Sequence, residues 1–219
     1  MKLSRGWLAT IIIVAVIVAD QTLKIWVKTS FYYGEEFVIA DWFRLLFIEN
    51  NGMAFGFEFG SKYILTWFRL LAVALLIYYI TRLCRRDKLS TGFLVCVAMI
   101  TAGAAGNVID CLFYGLIFNA PVYPEVATLF PPDGGYAGLF NGRVVDMLYF
   151  PLVEWDWPGW MPWLGGEHFT FFKPVFNVAD ASLSVGVIVL ILFYSKHLST
   201  QDKTGGDDRP QEVAQENQE

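Results

Sequence analysis

TGFLVCVAMITAGAAGNVIDCLF, residues 91–113, is long and apolar enough to cross a bilayer, and its only charged residue is Asp110, near the far end. A spanning helix needs roughly 20 mostly apolar residues. A carboxylate at a helix centre costs roughly 2.5–3.5 kcal/mol on insertion scales, so such groups face a bundle interior and do work there. Three more stretches read as spans, about 7–27, 63–83 and 175–197. Asp20 lies in the first and Asp180 in the last, while Asp146 sits in the short apolar patch Val144-Val145-Asp146-Met147-Leu148-Tyr149.

Composition agrees with a polytopic membrane protein. Of 219 residues, 55% are hydrophobic and 17% aromatic, with mean hydropathy +0.45. That is too apolar for an ordinary soluble domain. The net charge of -5 owes much to Asp202, Asp207, Asp208, Glu212, Glu216 and Glu219, and nothing in it points to nucleic acid. Cys84, Cys96 and Cys111 are odd in number and lack CxxC spacing, so neither disulfides nor zinc are expected. His168 and His197 form no metal cluster and no serine triad. Acid–base chemistry, if any, rests on carboxylates, with no cofactor and no metal.

Orientation follows from Lys and Arg near the span ends. Lys2, Arg5, Arg82, Arg85, Arg86, Lys88 and Lys196 mark three regions as cytoplasmic. Both termini are then inside, and the connections 28–62 and 114–174 outside. A cleaved signal peptide is the competing reading of the first stretch. Against it, the apolar run is too long, and Asp20, Gln21 and Lys24 stand where a small-residue cleavage site would be. Residues 31–59 alternate aromatic and polar groups between Gly34, Gly52, Gly56 and Gly60, which reads as short strands. The second connection is loop-like around Pro131, Pro132, Asp133, Gly134 and Gly135. It then delivers Trp155, Trp157, Trp160 and Trp163, residues that favour the headgroup level. The expected fold is an all-α membrane protein of four transmembrane helices. It carries a small extracytoplasmic β-rich element and an aromatic-rich outer loop. Residues 1–198 form the membrane domain, and 199–219 a polar, disordered tail.

With these directions, Asp20, Asn107, Asp110, Asn177 and Asp180 fall in one outer layer, and Asp146 in the connection beside it. Each group also has a plainer reading. Asn107 and Asp110 share a helix face and could make a polar packing contact beside Gly103 and Gly106, although an acid at a helix C-terminus opposes the dipole. Asn177 can be an N-cap, with Asp180 a first-turn acid. Asp20 and Lys24, four apart, can simply pair. The run Glu49-Asn50-Asn51-Gly52-Met53-Ala54-Phe55-Gly56 can be a glycine turn, or a loop that lets a substrate backbone approach closely. Arg69 can snorkel or pair with Asp20 or Asp110. Two close carboxylates retain one proton between them. The ionised partner can then deprotonate a water while the protonated one hydrogen-bonds a scissile carbonyl. The same groups could instead form a proton or cation relay.

The motifs discriminate further. Asp20-Gln21-Thr22-Leu23-Lys24, Asn50-Asn51-Gly52-Met53-Ala54-Phe55, Gly106-Asn107-Val108-Ile109-Asp110, Val144-Val145-Asp146 and Phe176-Asn177-Val178-Ala179-Asp180 occur in this order on the four-span frame. In that pattern the chain resembles the lipoprotein signal peptidases, also called signal peptidase II. The resemblance implies a four-helix aspartyl endopeptidase of the bacterial inner membrane. Such enzymes cleave prolipoproteins on the amino side of a diacylglyceryl-modified cysteine. It assigns the catalytic dyad to Asp146 and Asp180, and supporting or substrate-positioning roles to Asp20, Lys24, Asn50, Gly52, Asn107, Asp110 and Asn177. It implies prolipoprotein and membrane lipid as partners. Four spans enclosing one polar layer need no second copy, so a monomer is expected. Two departures stand out. The family commonly has Arg where this chain has Cys111, a contact that Arg143 could supply, and the 114–142 connection is long, as for a cap over the site. By the helix dipole, Asp180 is expected to be the base and Asp146 to hold the shared proton. A small ion-coupled transporter is the alternative, disfavoured by the absence of sequence repeats and by spans whose cytoplasmic halves are nearly free of charge. A non-catalytic scaffold would tolerate loss of Asp146 or Asp180.

Overall fold

Helix α1 (Arg5–Ser30) begins where Ser4 Oγ accepts the Trp7 N–H at 3.3 Å, a side-chain N-cap. A computed structural model describes residues 3–51, 62–86 and 89–201, with side chains to residue 195. Gly52, Gly56, Gly60 and residues 202–219 of the acidic tail lie outside them. Strands β1 (Glu36–Ala40) and β2 (Phe43–Asn50) form an antiparallel hairpin. Gly34, with φ 85°, turns the chain into it and donates its N–H to Phe47 O at 2.9 Å. Helix α2 spans Lys62–Cys84 and α3 spans Thr91–Ile109. All four long helices are apolar and long enough to cross a membrane.

The third of them runs further than its sequence suggested. A π-helical turn, Asp110–Tyr114, continues α3 into the short α4 (Gly115–Ile117). Asp110 is therefore inside a helix that extends from Thr91 to Ile117, not at its C-terminus, so the argument from an unfavourable terminal dipole does not apply. A π turn inserts one extra residue per turn and is frequent at functional sites.

The β component among the described residues is a four-stranded and a two-stranded sheet. Strand β3 (Val144–Tyr149) pairs antiparallel with β2, with Ile48 opposite Asp146 and Asn50 opposite Val144. Strand β6 (Val175–Phe176) pairs with β3 through Leu148 and Tyr149, giving the order β1-β2-β3-β6. The fourth span thus does not start near residue 175. Those residues are strand, and helix α5 (Val178–Gln201) begins after Asn177. Strands β4 (Val153–Asp156) and β5 (His168–Phe171) form a separate hairpin between β3 and β6.

Two apolar clusters hold these parts together. Ala9, Ile80, Leu83, Phe93, Leu94, Val97 and Ala98 pack where the arginine-bearing helix ends converge. Val27, Phe31, Leu45, Phe47, Tyr114, Phe118, Val145 and Met147 fill the space under the sheet. Helix α3 is the central one, with 56% of its apolar window buried against 17% in each of the other three. Its small residues permit this enclosure.

A Cβ at Gly103 would stand 2.2 Å from Ala179 O and 2.8 Å from Leu183 Cβ, so α3 and α5 touch backbone to backbone. Gly103→Ala should therefore destabilise by about 1–3 kcal/mol, the range for overpacking. Thermal unfolding in detergent checks this, with Gly6→Ala as control, since an added Cβ there meets nothing within 4 Å. Equal melting temperatures for the two variants would show that the helices part without cost.

Candidate active site

Asp20 and Lys24 occupy successive turns of α1 on one face, as their spacing requires, and both are fully buried. Lys24 Nζ lies 2.8 Å from Asp20 Oδ2, 2.8 Å from Asp110 Oδ2 and 2.9 Å from Asn107 Oδ1. An ammonium has three N–H donors, and here three acceptors surround it. Pairing along one helix face is thus part of a wider clamp that joins α1 to α3. Gln21, next to Asp20, reinforces it. Its amide nitrogen reaches Asp110 Oδ1 at 2.8 Å and Gly106 O at 3.2 Å, and its Oε1 accepts from the Tyr114 hydroxyl at 3.1 Å.

The two acids of the clamp extend it to the other elements. Asp20 Oδ1 accepts the Ala179 N–H at 2.8 Å, and Asp110 Oδ2 accepts the Val145 N–H at 3.3 Å. These are the residues immediately before Asp180 and Asp146. The start of α5 and the start of β3 are therefore anchored to one buried ion cluster. Gly106 makes room for it, since a Cβ there would lie 2.9 Å from Asp20 Oδ2 and 3.0 Å from Ala179 Cβ.

Two asparagines complete the arrangement. Asn107 Nδ2 donates to Asp180 Oδ1 at 2.7 Å, and Asn177 Nδ2 donates to Asp146 Oδ1 at 2.7 Å. Asn177 Oδ1 accepts the Asp180 N–H at 2.9 Å, so Asn177 is indeed an N-cap. Capping consumes only its oxygen, which turns its amide nitrogen toward Asp146 and to 3.2 Å from Asn107 Oδ1. Asn50 also hydrogen-bonds Asp146. Asp146 is 2% exposed, while Asp180 is half-buried. Burial, and then the neighbouring Asp180, push the Asp146 carboxyl up to about 7, against the opposing hydrogen bonds from Asn177 and Asn50 and the charge of Lys24.

The remaining candidates go elsewhere. Arg143 directs Nη1 to Glu49 Oε2 at 3.0 Å, and Glu49 also binds Lys28. Arg69 turns toward α3, with Nη1 3.2 Å from Cys111 Sγ. Gly52 lies outside the described residues. The buried part of the long connection packs away from Asp146, not over it as a cap would. Its Phe118, Ala127 and Tyr136 pack with Phe47, Val145 and Met147. Alternation along β3 points Val145 and Met147 away from Asp146, so this segment backs the far face of the sheet. Sequence reasoning passed over Gln21, Glu49, Lys28 and Tyr114 as site residues. Lys28 could have been noticed, because it repeats the Lys24 position one turn later in the same apolar run.

Comparison with known proteins places this geometry in context. A family model described as signal peptidase (SPase) II matches residues 12–196. A lipoprotein signal peptidase of Porphyromonas gingivalis is 47% identical over 198 residues, covering 90% of this chain and 87% of the relative. One of Amoebophilus asiaticus is 37% identical over 183 residues, covering 80% and 72%. A solved bacterial membrane enzyme, determined in meso at 2.3 Å, aligns with TM-score 0.57 and 20% identity over 93% of this chain and 94% of its own. A second, at 1.9 Å, aligns with TM-score 0.57 and 22% identity over 86% and 93%. At those identities the structural likeness speaks for the fold.

Lys24→Met should destabilise by about 3–5 kcal/mol, because it strands two buried carboxylates. Adding Asp20→Asn should recover part of that loss by removing one orphaned charge. Thermal unfolding of the single and double variants measures both effects. A single variant as stable as the parent would rule out the clamp as a structural anchor.

Proposed function

The chain belongs to the signal peptidase II family, and from that premise we propose that Asp146 and Asp180 are its catalytic dyad, cleaving prolipoproteins before their diacylglyceryl-modified cysteine. The observation that carries the assignment is the linked set Asn107–Asp180, Asn177–Asp146 and Asn177–Asn107, which holds the two carboxyl groups as electrostatic neighbours. Asp180, at the start of α5, acts as the base on a water. Asp146 retains the proton and donates a hydrogen bond to the scissile carbonyl, as its raised titration range allows. The water oxygen attacks the carbonyl carbon as Asp180 takes the water's proton, and collapse of the tetrahedral species breaks the C–N bond as Asp180 passes that proton to the departing nitrogen, releasing the lipidated cysteine's amine and a carboxyl group on the signal peptide. Asp20, Lys24, Gln21 and Asp110 hold the two bearing segments. Asn50, Gly52, Asn107, Asn177 and Arg143 position the dyad or the peptide, with Arg143 or the neighbouring Arg69 supplying the guanidinium that Cys111 does not.

The membrane setting follows from charge and aromatics. Arg5, Arg82, Arg85 and Arg86 gather at the helix ends opposite the dyad, which supports a cytoplasmic location for those ends and for both termini. The dyad then faces the extracytoplasmic side of the bacterial inner membrane. In the β4–β5 hairpin, Trp155 lies 5.4 Å from Trp157 and 4.2 Å from Phe169, while Trp160 and Trp163 are fully outward. Arg44 ties the hairpin to the sheet through Glu154. Resting in the headgroups, this hairpin would hold the dyad at the depth where acyl chains stay in the bilayer while the peptide reaches the carboxylates. A single chain completes the polar layer, consistent with a monomer. The transporter reading is not favoured, because the opposite end of the bundle is an apolar core.

Purified protein in detergent should cleave a diacylglyceryl-modified prolipoprotein, and Asp146→Asn and Asp180→Asn should each lose about 10²–10⁴-fold or more in rate. Near-parental activity in either variant would sink the dyad. The parental rate should fall as pH rises through about 7, as Asp146 loses its proton. The stability link has the same sign. The folded carboxyl titrates above the unfolded value of about 3.9, so the stabilisation from its protonated form is complete below that value and lost as pH rises through about 7. Asp146→Asn, which cannot ionise, should therefore melt higher than the parent at alkaline pH and show no such advantage at acid pH.

A further inference from the structure

At the end of the sheet, where Glu49 of β2 lies opposite Val145 and Arg143 leads into β3, is a second ion cluster that the proposed dyad does not use. The Glu49 side chain, 1% exposed, stands between two cations, Lys28 and Arg143. Lys28 is itself fully buried, and its Nζ lies 5.8, 5.1 and 5.3 Å from the ring centres of Phe47, Phe118 and Tyr136. Burying the Lys28–Glu49 pair carries a desolvation penalty that pairing must offset, and apolar residues of the same volume often serve stability as well. Its geometry converges on Arg143. The guanidinium stacks 5.1 Å from the Tyr136 ring centre, one edge meets Glu49 Oε2 at 3.0 Å, and the backbone N–H donates to the Tyr136 hydroxyl at 2.6 Å. Yet the Arg143 side chain is 41% exposed.

The backbone at this point has no slack. Gly142 N–H bonds Cys111 O at 2.9 Å, and a Cβ at Gly142 would stand 1.9 Å from Asp110 O. Three residues further along the same chain is Asp146. Arg143 is thus held by backbone, ring and carboxylate, while its side chain stays partly exposed just before the strand that carries Asp146.

We propose that Glu49 is a positioning residue: backed by Lys28 and flanked by Tyr136, it holds Arg143 so that the open edge of the guanidinium donates to backbone carbonyl oxygens of the bound peptide. This rests on the peptidase reading above. An arginine side chain has many rotamers, and immobilising it beforehand spares that loss of freedom on binding. The effect belongs in KM more than in kcat.

The test compares purified full-length parent, Arg143→Ala, the pair Glu49→Gln/Lys28→Met, and the triple variant, on a diacylglyceryl-modified prolipoprotein. The pair removes both buried charges together, so the ion left without its partner, Arg143, is one that water reaches. Arg143→Ala and the pair should each raise KM about tenfold with less than about a threefold fall in kcat, and the triple should be no worse than Arg143→Ala alone, since all act through one guanidinium. A pair variant that melts like the parent and keeps its KM would overturn the proposal, as would KM increases that multiply in the triple. If the pair does not fold, Tyr136→Phe substitutes for it. That change keeps the ring and drops only the hydroxyl that accepts the Arg143 amide hydrogen, so a raised KM supports the proposal and an unchanged one overturns it. A parent that cleaves nothing removes the peptidase reading and this inference with it, whereas a cleaving parent isolates the inference.

Discussion

Lys24 has three N–H donors with an acceptor on each, and every element bearing a candidate catalytic group is joined to one of those acceptors. Asp20 reaches α5 through the Ala179 amide, Asp110 reaches β3 through the Val145 amide, and Asn107 reaches Asp180 directly. A helix, a strand and a second helix, far apart in sequence, are registered against one ammonium group. In a hydrocarbon surround there is no water to substitute for a lost partner, so this registration is steep. The groups are fully connected or the layer fails.

A buried ion cluster is weak evidence of stability by itself, because desolvation offsets much of the Coulombic gain. Its value here is geometric. Apolar packing between α1, α3 and α5 would tolerate small slips along the helix axes, whereas three short polar contacts on one nitrogen do not. The glycines act in the same sense. Gly103 and Gly106 bring α3 against α5 and Asp20 at distances that admit no side chain. The asparagines then transmit that register to the acids. Asn177 shows how little material this takes, since one side chain caps a helix with its oxygen and orients Asp146 with its nitrogen.

Much of this was legible beforehand. The spans, the polar layer and the Asp20–Lys24 pairing follow from hydropathy and from a spacing of four. The N-cap role of Asn177 follows from its place before an apolar run. Other features were not legible, for identifiable reasons. Asp110 read as terminal because Asp-Cys-Leu-Phe-Tyr carries no sign of a π turn that prolongs the helix to Ile117. Val175 and Phe176 read as helix because a two-residue strand has no periodicity, and only pairing with Leu148 and Tyr149 defines it. The 114–142 connection suggested a cap because length says nothing about which face of a sheet a segment covers.

The sequence by itself determined the four-span frame, the polar inventory at one level of it and the family pattern, because hydropathy and short-range spacing are local properties carried by each segment alone. Only the tertiary structure decided which acid meets which partner. That Asp20 and Asp110 bond the amides just before Asp180 and Asp146, that Glu49 pairs with Arg143, and that Phe118, Ala127 and Tyr136 pack with Val145 and Met147 all depend on side-chain direction across non-local contacts. A pleat reverses direction at every residue and a helix turns 3.6 residues at a time, so a shift of one position in any element would assign those partners differently.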